Sequence, residues 1–185
     1  MRLDDFAESA GDRIEIDWRS FLLRVEPKTG DRDKFIEYTQ SWLRPAESEP
    51  RARFQVWASE ADQPSSSVPA QVAFKTVEAG WPDLAMAFHH RLLEAYFSEN
   101  RNIADSDELV NLAVEVGIDR EEFEEYARAH ADEMTQKVIE DHNMAMENSV
   151  TAAPTVVFAD AFAVPGAQPV ETYDRILDAI ESRQS

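Results

Sequence analysis

Cysteine is absent from all 185 residues. That excludes a disulfide, a thiolate metal site and a cysteine nucleophile within them. Glycine is scarce, five in total (Gly11, Gly30, Gly80, Gly117 and Gly166), so there is no glycine-rich phosphate loop, and no serine stands in a G-x-S-x-G elbow. No apolar stretch approaches the length of a membrane span, and the opening "MRLDDFAESAGDR" is acidic where a secretory leader is basic and then apolar. The chain therefore reads as cytoplasmic. Positive charge is also sparse: 18 basic residues, only four of them lysines (Lys28, Lys34, Lys75 and Lys137), stand against 37 acidic ones, a net charge of -19. This sign argues against nucleic acid and anionic membranes as partners. Self-repulsion of this size is relieved by screening, so the composition points to a halophilic setting.

What is present falls into periodic apolar groups. In "LDDFAESAGD" the residues Leu3, Phe6, Ala7 and Ala10 share a helical face, and Gly11 is placed to stop the helix. "RIEIDWR" alternates Ile14, Ile16 and Trp18 against Glu15, Asp17 and Arg19, the pattern of a strand with one buried face, and "SFLL" continues its apolar character. Residues 31–43 suggest a short helix, and an irregular passage leads into the "DQPSSSVP" loop. From Pro69 to about Glu147 the period is helical throughout, with acidic caps predicted at Asp105 (Glu108 three residues on) and Asp119 (with Glu122). The period then changes. "TVVF" and "AFAV" read as two short strands joined by "ADA", and a closing helix presents Val170, Tyr173, Ile176, Leu177 and Ile180 on one face. The order predicts an α/β domain, residues 1–68 and 149–185, interrupted by an all-helical insertion, 69–148.

Four histidines (His89, His90, His130 and His142) invite a metal reading, but no pair supplies two strong ligands on one helical face, so no metal site is expected. The run "REEFEEYARAHADE" reads as a solvated acidic face. Pro154 is different, because a proline heading a strongly β-forming run has no N–H to give a ladder. From spacing it is either a trans proline opening a strand, which spacing alone favours, or one preceded by a cis bond. In either case Ala153 presents its backbone N–H and C=O to solvent or to an extended ligand.

"AFHHRLLEAYFSENRNIADSDELVNLAVEVGID", followed by "APTVVFADAFAVPGAQPVETYDRILDAI", resembles the DsbA-like thioredoxin-fold oxidoreductases, in particular the FrnE-like group, and "IEIDWRSFLL" is similar to that group's second strand. The resemblance implies a thioredoxin-like α/β fold with a large all-helical insertion. It assigns Pro154 as the cis-proline, Ala153 as the residue whose backbone pairs with a substrate peptide or glutathione, and Gly166 as the last-strand glycine where a missing side chain permits a bulge or close packing. Trp18 and Phe88 would frame the same groove. The family's first strand and its C-x-x-C or C-x-x-S motif have no counterpart in this sequence, whose opening corresponds to later turns of the first helix, so that Met1 falls inside an element. Either the natural chain starts further upstream or this is a variant that has lost the motif. No catalytic residue is therefore assigned. Three functions stay open: the substrate-binding part of a thiol–disulfide oxidoreductase or isomerase acting on protein or peptide disulfides, inactive without a thiol; a relative of the 2-hydroxychromene-2-carboxylate isomerases, with glutathione as a candidate substrate; or a redox-inert peptide-binding module. No bound cofactor is implied, and the sequence carries no sign of an oligomeric state.

Overall fold

The computed structural model describes residues 2–184; Met1 lies outside them. The chain divides into two compact units, Met1–Leu23 with Asp141–Ser185, and Arg24–Glu140. Residues 24–68, which the periodicity groups with the α/β part, lie in the second unit.

The first unit opens with α1 (Arg2–Ala10), whose first turn carries Asp4 and Asp5 at the positive end of the helix dipole. Gly11 ends it at φ +54°, a left-handed conformation that glycine adopts without a Cβ penalty. Residues 14–20 are extended, and their burial alternates as the sequence predicts, with Ile14, Ile16 and Trp18 half-buried and Glu15, Asp17 and Arg19 exposed. They are not a ladder strand, however, because they pair with no other strand among the described residues. Side chains of the same unit hold this stretch instead: Asp141 accepts from the Ser20 N–H at 3.0 Å and pairs with Arg19, and His142 Nδ1 accepts from the Leu22 N–H at 3.2 Å. Alternation records which side chains face a core. A ladder needs a second strand, which is a non-local fact.

The second unit begins with α2 (Arg32–Thr39), capped by the Asp31 side chain accepting from the Lys34 N–H, and α3 (Leu43–Ser48). Phe35, Trp42 and Trp57 form a buried aromatic cluster there, with Phe54, Tyr96 and Phe97 packed against it. Five helices follow: α4 (Val68–Gly80), α5 (Ala85–Phe97), α6 (Ser106–Glu115), α7 (Arg120–Ala129) and α8 (Ala131–Glu147). Asp105 accepts from the Glu108 N–H and Asp119 from the N–H groups of Glu121 and Glu122, the acidic caps predicted for α6 and α7. Val77, Phe88, Leu112, Met134 and Val138 are fully buried.

The chain returns to the first unit within α8. There β1 (Thr155–Phe158) and β2 (Phe162–Pro165) form the predicted antiparallel hairpin, and α9 (Val170–Gln184) closes it. The turn passes through Ala159 and Asp160, both at positive φ. Phe6 and Ala10 of α1, Phe158 of β1 and Tyr173 and Leu177 of α9 make the core of this unit, with Ile14, Val156 and Val164 packed on it. The architecture is α/β with a large helical block, the predicted class.

Candidate functional site

The hairpin fixes which backbone groups are free. The Gly166 N–H donates to the Pro154 carbonyl at 2.8 Å, and the register pairs Thr155 with Pro165, Val156 with Val164 and Phe158 with Phe162. In an antiparallel pair, residues that exchange bonds with the partner alternate with residues that point away from it. Pro154, Val156 and Phe158 therefore face β2, while Thr155 and Val157 turn their N–H and C=O groups to the opposite edge. No other strand covers that edge among the described residues. Two residues, each with one N–H and one C=O, leave four groups in a row.

The other edge of the hairpin is blunter. There Ala163 and Pro165 point outward, and Pro165 has no N–H to offer. The β1 edge is thus the better template for an added strand. Ala153 and Pro154 at its head are exposed, and the peptide bond between them is cis. Below the edge Val156 and Phe158 turn into the core while Val157 stands 47% exposed.

Gly166 holds the end of the hairpin for a reason the sequence does not give. A Cβ there would meet only the Gln168 amide nitrogen at 3.7 Å, an ordinary contact, so space is not what requires glycine. Its φ of +78° is, because L side chains rarely adopt it. The Tyr173 hydroxyl then pins the following loop, accepting from the Gln168 N–H at 3.1 Å and donating to the Gly166 carbonyl at 3.4 Å.

Of the other residues singled out in the sequence, Trp18 is half-buried in the extended stretch of this unit, and Phe88 is fully buried on α5 in the second unit. Sequence reasoning missed Thr155 and Val157. Their outward backbone groups follow from the register, and the only early signal was the parity set by Pro154. The histidines are scattered. Burial pushes His89 down to about 4, so it is neutral near pH 7; His130 stacks on Tyr126 at 4.0 Å; His142 is engaged by the Leu22 N–H. Among the described residues no three His, Asp or Glu side chains converge as a metal set. No helix among them is long and apolar enough to cross a membrane.

An α/β unit with a β-hairpin headed by a cis-proline and closed by α9, in a chain with a large helical block, has the arrangement of a thioredoxin-like fold. The sequence profile of the DSBA-like thioredoxin domain matches residues 1–178, and the chain belongs to that family. Among curated relatives, the ClpXP adapter protein SpxH of Bacillus subtilis is 31% identical over 129 residues, covering 66% of this chain but only 42% of SpxH. Several solved structures share the fold. The cytosolic disulfide reductase DsbM of Pseudomonas aeruginosa, determined with GSH, has a TM-score of 0.74 at 18% identity, over 99% of this chain and 90% of DsbM. A probable DsbA oxidoreductase of Streptomyces coelicolor has a TM-score of 0.74 at 21% identity, over 100% of this chain and 83% of the other.

Proposed function

We propose that these 185 residues form a thioredoxin-like binding module that takes an extended peptide along the outward edge of β1 and performs no thiol chemistry of its own. The observation that carries this reading is the row of backbone groups on Thr155 and Val157, with Ala153 exposed ahead of it, left open beside a hairpin whose other edge is blunted by Pro165. Main-chain pairing with an exposed strand edge is an established mode of peptide recognition, in which the backbone supplies affinity and alternate side chains supply selectivity. Each such hydrogen bond contributes about 1 kcal/mol net, and ordering the peptide offsets part of it. Affinity for a short peptide accordingly falls in the range of about 0.1–1 mM.

In the family's chemistry a thiolate attacks a substrate disulfide, forming a mixed disulfide as the old S–S bond breaks. With no cysteine among these residues, that thiolate has to come from elsewhere, and what this chain supplies is the holding of the substrate strand. SpxH, named as an adapter, is named for a binding role, which supports the same emphasis. Glutathione is the smallest extended peptide such an edge would take; the GSH in the DsbM structure supports testing it first among small ligands. The cytosolic DsbM supports a cytoplasmic setting for this reading.

A fluorescein-labelled, cysteine-free peptide of alternating valine and threonine tests the binding, read by anisotropy, and insulin reduction with dithiothreitol tests the chemistry. The expected result is saturable sub-millimolar to millimolar binding with no insulin turnover above the uncatalysed rate. Turnover, or no binding at several millimolar peptide, would overturn the proposal. Displacement of the peptide by glutathione would identify the small-ligand form of the same site.

A further inference from the structure

The closing helix has a second face that the core uses only in part, through Ile176 and Ile180. Tyr173 and Leu177 are buried against α1 and the hairpin, and Asp178 and Glu181 are drawn to Arg13, which reaches them at 2.6 and 2.7 Å. On another side of α9, Arg175, Ile176, Ala179, Ile180 and Arg183 recur at the three- and four-residue steps of a single helical stripe. Together with Phe162 they line an open groove of about 270 Å³.

The charges of this groove run against those of the molecule. In a chain with 37 acidic and 18 basic residues, the only charged side chains lining it are two arginines. Neither forms an ion pair among the described residues. Arg175 donates only to oxygens of its own helix, the Glu171 carbonyl at 3.1 Å and the Thr172 hydroxyl at 3.3 Å. The acids of the following turns are committed to Arg13. Between the two cations lies an apolar floor, with Phe162 46% exposed and Ala179 small enough to let another backbone approach.

We infer that this stripe of α9 docks an amphipathic helix of a partner protein, one with an apolar stripe flanked at both ends by carboxylates. Two features select that occupant. Arg175 and Arg183 are eight residues apart, about 12 Å along the axis, so a small monoanion meets one of them while a helix with carboxylates about two turns apart meets both. A second copy of this chain is disfavoured: packing α9 on itself through this stripe, parallel or antiparallel, sets arginine against arginine. The apolar floor supplies the i, i+3, i+4, i+7 contacts of a helix-in-groove complex.

The net charge makes the test sharp. A field of sign -19 by itself prefers a neutral peptide to an acidic one, so a preference for the acidic peptide isolates the groove. The probe is a fluorescein-labelled peptide of about eighteen residues, helical by alanine content, with leucines in an i, i+3, i+4, i+7 stripe and two glutamates at each end of it, compared with its glutamine counterpart, which has similar helix propensity. The full chain is expected to bind the glutamate peptide about tenfold more tightly than the glutamine peptide. The double substitution Arg175→Gln with Arg183→Gln, both on the helix surface, should abolish that preference, with amide shifts on binding confined to Phe162 and the 172–183 stripe. Four outcomes overturn the inference: equal or inverted preference, a preference that survives the double substitution, shifts that map elsewhere, or concentration-dependent self-association that the glutamate peptide does not compete.

Discussion

His89 carries the clearest pH dependence at the scale of single residues. Burial holds it at about 4 in the folded chain against an ordinary 6.5, so the unfolded chain binds the extra proton over that interval. Stability from this group is complete above about 6.5 and is lost as the pH falls toward 4, with a total of about 1–3 kcal/mol. The carboxylates act lower. Burial alone would raise Glu99 and Glu115, but hydrogen bonds from Arg91 and Arg101 outweigh it and hold both below their ordinary value. Their contribution is present above 4.5 and is lost only as the pH drops through their lowered values. The interval between pH 6.5 and 5 therefore isolates His89 and its neighbour His90, both of which burial lowers. Denaturant titrations there should show falling stability for the parent chain and a much flatter profile for His89→Gln; an unchanged slope would mean that another group carries it.

Among elements, the hairpin gives the most discriminating pair of substitutions. The Val156 N–H faces β2 and the Val157 N–H faces the open edge, as the register requires. Val156→Pro should destabilise the first unit by about 3 kcal/mol, whereas Val157→Pro should retain most of the stability and lose peptide binding. Thermal melts and the anisotropy titration, run on both variants, read the two effects separately. Similar melts for the two would place the ladder in the other register. The hairpin, the helices α4 to α9 and the acidic caps were legible in the sequence because each is written in local periodicity or in a cap three residues from its target. The extended stretch at 14–20 was half legible: its burial alternates, but nothing local says whether a strand lies beside it. The cluster of Phe35, Trp42 and Trp57 was not legible, since it joins α2 and its following turn to a segment without regular structure. The open edge of β1 was legible only through Pro154 and Ala153; Thr155 and Val157 needed the register. On α9 the apolar face was foreseen as one surface. Ile176 and Ile180 prove to border both core and groove, and a side chain shared between two surfaces has the same periodicity as one that serves a single surface.

For the whole molecule, a net charge of -19 is the dominant feature, and it acts against the local ion pairs when salt is added. Screening weakens exposed pairs such as Arg13 with Asp178, worth little individually, but it also relieves the summed repulsion of 37 acidic residues. The second effect should win, so the melting temperature followed by circular dichroism is expected to rise from dilute buffer to molar salt; a fall would show that the ion pairs matter more. The central claim is narrower than this field: an extended peptide adds to the β1 edge. Amide hydrogen exchange, with and without saturating cysteine-free peptide, tests it residue by residue. New protection of Thr155 and Val157, with Val156 and Phe158 unchanged, is the predicted result, and protection that ignores this alternation, or none at all, would contradict it.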